Sequence, residues 1–148
     1  MQFDPDNHVV KLCAQGMDEE AQGKMDEAAK LFLQGWNEAT TNLEKFTAAH
    51  YVARRQNSVL DKLKWDETAL SFALILNDDK MNGVYPSLYL NIAKCYEDLK
   101  DYDNARVHYA LALSYTHLLP EDGYGKMIKS GINNGIGRIT ATHQEAVQ

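Results

Sequence analysis

The chain has 148 residues, 45% apolar and 24% charged, with three prolines and nine glycines; this excludes disordered, collagen-like and low-complexity classes and predicts one domain, 1–148, with a single core. Fifteen basic and 21 acidic residues leave a net charge of −6, and no Lys/Arg-rich run occurs, so a nucleic-acid partner bound through its phosphates is not expected. Cys13 and Cys95 lie far apart with no histidine at ligand spacing from either, which predicts neither a disulfide framework nor a zinc site.

The opening stretch, Met1-Gln-Phe-Asp-Pro-Asp, is acidic and polar, unlike a basic segment leading into an apolar one. No run of about 18 apolar residues follows anywhere, so the expectation is a soluble, cytoplasmic chain with no membrane partner.

Aligned with itself, the sequence repeats. Lys24-Met25-Asp26-Glu27-Ala28, Lys64-Trp65-Asp66-Glu67-Thr68 and Asp101-Tyr102-Asp103-Asn104-Ala105 each place a bulky residue before Asp and a small residue two positions beyond it. An aromatic stands four residues after each small one: Phe32, Phe72 and Tyr109. The predicted hairpins cover about 9–42, 46–79 and 86–117, with insertions in 39–43 and 77–83. Asp26, Asp66 and Asp103 are expected where each second helix begins, accepting from first-turn amides. The small residue and the aromatic one turn later share a face, so a neighbouring helix approaches over the first and packs beside the second.

The third copy has the fullest pattern. Leu88, Tyr89, Ile92, Ala93, Tyr96 and Leu99 recur at helical spacing, followed by Tyr102, Ala105, Tyr109, Ala112 and Leu113. Tyr89, Ile92-Ala93, Tyr96, Ala105, Tyr109 and Ala112 resemble the small/large pattern of tetratricopeptide repeats (TPR). In the first copy Leu12, Gly16, Gly23, Ala28 and Phe32 fit that pattern, while Gln15 and Glu19 depart from it; in the second Val52, Val59, Thr68 and Phe72 fit, and Arg55-Gln56 replaces the usual Leu-Gly pair. The resemblance spans about 10–117. It implies an all-α, right-handed α-solenoid (a TPR-like superhelix) of about seven helices.

A last, capping helix is predicted over about 121–143, after the turn-rich Pro120-Glu-Asp-Gly-Tyr-Gly125. Ile128, Ile132, Ile136 and Ile139 form its apolar stripe, which covers the open end of the third hairpin. Gly131, Gly135 and Gly137 each cost about 1 kcal/mol relative to Ala inside a helix, and close backbone packing is the expected compensation.

No strand runs into a Gly-rich turn, and GxSxG, HExxH, the P-loop and the Asn/Asp-Pro-Pro-aromatic motif are absent from the sequence. An enzyme is therefore not expected, nor a catalytic residue, metal or cofactor. His8, His108, His117 and His143 read as surface or packing positions. His50, Arg54, Asn57 and Asp61 fall at spacings that place them along one polar helix face.

In tetratricopeptide proteins the first helices line the concave groove. Carried over, the resemblance puts Val10, Cys13 and Met17 of the first copy there, His50, Ala53, Arg54 and Asn57 of the second, and Ser87, Leu90, Asn91, Lys94 and Asp98 of the third. Arg54, Lys94, Asn57 and Asn91 would clamp a carboxylate or a peptide backbone, with Tyr85 and Tyr124, both expected in loops, at the groove edge. Trp36 and Trp65 are expected in the core. The function implied is a non-catalytic interaction module for a peptide or protein partner. The alternatives are a binder of a small anion or RNA end through Arg54, Lys94 and His50, and a self-associating homodimer.

Overall fold

The computed structural model describes residues 4–147, with side chains through residue 142. It is all-helical: α1 (His8–Ala21), α2 (Met25–Glu38), α3 (Asn42–Arg54), α4 (Val59–Leu76), α5 (Tyr85–Asp98), α6 (Tyr102–Ser114) and α7 (Gly123–Val147), with short 3-10 turns at Asp79–Val84 and Thr116–Leu118. No strand occurs among the described residues, and none of their helices is long and apolar enough to cross a membrane.

The helices group into two compact units, Met1–Asn77 and Asp78–Gln148. In the first, α1 packs on α2, α2 on α3, and α3 on both α4 and α1; in the second, α5 packs on α6, and α7 on both. The starts and stops follow from local chemistry. Asn7 accepts from the Val10 amide and caps α1; Thr41 and Glu44 form a reciprocal capping box on α3; Ser58 accepts from Asp61 N at 3.0 Å and caps α4. The α1–α2 turn passes through Gly23 at φ +79°, where glycine adopts a left-handed conformation without a Cβ clash.

Two sequence expectations are corrected here. Asp66 does not begin a helix: α4 starts at Val59, and Asp66 lies buried within it, accepting from Lys62 Nζ at 2.6 Å. In the other copies, Asp26 is the second residue of α2 without capping it, and Asp101 rather than Asp103 caps α6. The register of the second copy also moves by one residue. Its buried small residues are Ala69 and Ala73, whereas Thr68 and Phe72 are half-buried. Trp65 and Phe72 instead meet Trp36 of α2 edge-on, at 5.0 and 6.0 Å between ring centroids.

The two units repeat one another more closely than the three hairpins do. Ala28 and Ala105, both wholly buried, are 77 residues apart, as are Phe32 and Tyr109. The same interval relates Gly23 to Lys100, each at positive φ in the turn after its unit's first helix (+79° and +63°). It also relates Glu20 to Glu97, and each ties its unit's third helix to its first: Glu20 pairs with Arg54 of α3, and Glu97 with Arg138 of α7. The third helices correspond at an interval of 84. Tyr51 stacks on Phe32 where Gly135 abuts Tyr109. Helices α1–α2–α3 are thus mirrored in order by α5–α6–α7, and α4 has no counterpart among the described residues of the second unit.

The glycines of α7 divide. A Cβ on Gly135 would lie 2.2 Å from the Tyr109 ring and one on Gly131 3.1 Å from Leu90, so both are held by close packing; Gly137 faces open space and is not.

Candidate functional site

In the first unit the loop after α3 turns a donor-rich corner toward the start of α2. The Nη2 atoms of Arg54 and Arg55 both lie 3.3 Å from Glu20 Oε2, at the far end of α1. Two guanidiniums thereby share one carboxylate oxygen. The other, Oε1, is buried with no hydrogen-bond partner, as is Arg55 Nε. Arg55 Nη1 donates to the Met25 thioether at 2.9 Å, a weak acceptor. A guanidinium offers five donors in a fixed fork, and most of these two forks are not matched by strong acceptors. They line an open cavity of about 260 Å³ with Gln56, Asn57, Asp26 and Ala29.

Arg54 and Asn57, both predicted, come together here; His50 does not. The ring of His50 stacks on Phe46 at 6.3 Å and meets Tyr51 edge-on, with Nδ1 buried and unpartnered. Burial above all, then the Arg54 and Lys62 charges, push its pKa down to about 4. It is a neutral packing residue at pH 7 and carries no charge for an anion. The single polar face expected to hold His50, Arg54, Asn57 and Asp61 is also corrected. Helix α3 ends at Arg54, so Asn57 sits in the turn and Asp61 in the first turn of α4.

Arg55 and Gln56 were legible only as departures from the repeat pattern. Their shared signal is that departure itself, two polar side chains where a packed pair would stand. Gln56 Nε2 donates back to Val52 O at 3.0 Å and closes the helix end.

In the second unit the predicted residues are dispersed. Lys94 donates to Asp98 one turn along at 2.5 Å, so the two neutralise each other on an exposed face. Asn91 is half-buried on the same helix. Tyr85 is not in a loop: it opens α5 and is buried, its ring 5.2 Å from Tyr115. Tyr124 is exposed, in the first turn of α7 rather than a loop. Of the remaining groove positions Cys13 and Ala53 are buried, and burial raises the Cys13 thiol to about 11. The side chain of His143 and residues Met1–Phe3 lie outside the described residues.

What sequence reasoning missed is the tie in the second unit. Arg138 Nε donates to Glu97 Oε2 at 2.8 Å and Nη2 to Oε1 at 3.0 Å, while Tyr109 Oη donates to Oε1 at 2.7 Å. The Arg138 hydrogen bonds hold the Glu97 carboxyl below its usual range, and burial with the Glu97 contact pushes the Tyr109 hydroxyl up. Here the carboxylate is fully engaged by a bidentate fork, unlike Glu20 in the first unit. No group of three or more His, Cys, Asp or Glu residues placed to hold a metal occurs among the described residues. Set against known proteins, the chain matches no family model and no curated protein.

Proposed function

We propose that the chain is a non-catalytic interaction module of the tetratricopeptide kind, acting in the cytoplasm, and that it holds a carboxylate of a peptide partner at the corner formed by Arg54, Arg55, Gln56 and Asn57. The observation that carries this reading is the mismatch of donors and acceptors there. Two guanidiniums converge on one oxygen of Glu20 and border an open cavity. A carboxylate entering it accepts from the unused faces of the forks and from the Asn57 amide, each charge-assisted hydrogen bond contributing roughly 1.5–3 kcal/mol. Asp26, exposed among the residues lining the cavity, accepts from a peptide N–H.

The test is selection from a displayed library of random peptides, each presented with a free and with an amidated C-terminus. Acidic or free-carboxylate peptides should be enriched by the native chain and lost with Asn57→Ala and with Arg55→Met. Enrichment indifferent to both substitutions rejects the site. Selection of phosphorylated small molecules instead, seen as thermal stabilisation in a metabolite panel, replaces the peptide with a small anion.

A further inference from the structure

The second unit carries an apolar cleft whose counterpart in the first unit is filled at one end by α4. Between α6 and α7 lies a cavity of about 230 Å³, lined by Tyr109, Ala110, Leu113, Ile136 and Ile139, with Arg106 and Thr140 at its rim. Leu113 is 45% exposed. Its counterpart 77 residues earlier is Trp36, and Ile136 corresponds to Val52 of α3. In the first unit the Trp36–Val52 end of the equivalent place is covered by α4: Trp65 packs against the α1–α3 core, and Trp65 and Phe72, two turns apart on α4, both meet Trp36. The second unit has the three helices that build the cleft and, among its described residues, no fourth to close it.

The size of the cleft bears on what enters it. Pockets that enclose drug-sized ligands run from roughly 300 to 1,000 Å³, and this one is smaller. It matches one or two large side chains, the anchors of a helix laid into a groove. We propose that the α6–α7 cleft is a docking site for an amphipathic helix of a partner chain, which presents two aromatic or large apolar side chains two turns apart and takes the place that α4 takes in the first unit. The site is distinct from the Arg54–Asn57 corner and stands or falls without it.

The chain supplies its own probe. A fluorescein-labelled peptide of residues 59–76, carrying Trp65 and Phe72, is titrated with the full-length protein at pH 7.5 and followed by anisotropy, while Ile methyl resonances report where it lands. The expected result is saturable binding that shifts Ile136 and Ile139. Binding should weaken at least tenfold with Leu113→Glu, at least tenfold with Ala110→Glu, and equally when the peptide carries Ala at 65 and 72. Both protein substitutions replace exposed side chains, and circular dichroism checks that the helices persist. Absence of saturable binding overturns the proposal, as does binding that survives both substitutions. Sedimentation of the chain alone as a dimer abolished by Leu113→Glu also overturns it, because the occupant is then a second copy.

Discussion

Gly135 and Gly137 are neighbours on α7 with opposite surroundings. Adding a methyl at Gly135 drives it into the Tyr109 ring, whose hydroxyl is fixed by Glu97 and cannot retreat freely. Gly135→Ala is expected to destabilise by about 1–3 kcal/mol, and Gly137→Ala, with open space around it, to stabilise by about 1 kcal/mol. Paired urea melts check this contrast. At His50 the consequence is a pH dependence. The folded-state pKa of about 4 lies below the ordinary 6.5, so the unfolded chain takes up a proton first. The stability due to neutral His50 is complete above pH 6.5 and is lost as pH falls from 6.5 toward 4, by up to about 3 kcal/mol. His50→Phe, which keeps the stack on Phe46, should flatten thermal melts across that window. A second step below it belongs to Glu44, whose pKa is lowered from 4.5 to about 2, chiefly by the Thr41 amide.

Among the helices, the tie from α7 to α5 is the interaction most open to test. Glu97 is mostly buried and held by Arg138 through two bonds. Arg138→Met keeps the apolar stem and leaves the carboxylate with the Tyr109 hydroxyl. A loss of about 1–3 kcal/mol is expected, with faster amide exchange along α7 than along α6. The helices themselves were readable from the sequence. Periodicity located the helices of the third copy and the last helix, because apolar spacing is local, and the repeat resemblance supplied the count of about seven. Register was not readable in the second copy. Thr68 and Ala69 are both small, and only packing decides which is buried; the start of α4 at Val59, capped by Ser58, puts the Asp66 landmark in the helix interior. Arg54 and Asn57 are legible in the sequence as polar side chains of the second copy. Their meeting with Arg55 and Glu20 depends on where α3 stops and on how α1 passes beside it, and neither is written in local spacing.

Over the whole chain, net charge sets the self-repulsion between molecules in solution. The net charge of −6 falls toward zero near the sequence pI of 5.3, where self-repulsion vanishes. A solubility minimum near pH 5.3, measured as turbidity at fixed concentration, is the expected outcome. The edge-to-face pair of Trp36 and Trp65 has a further consequence. Both tryptophans belong to the first unit, while seven of the eight tyrosines belong to the second. Excitation at the red edge of the absorption band therefore lights only residues up to Asn77, and tyrosine emission is dominated by the region beyond. Tryptophan emission thus reports on the first unit alone, without any label being attached.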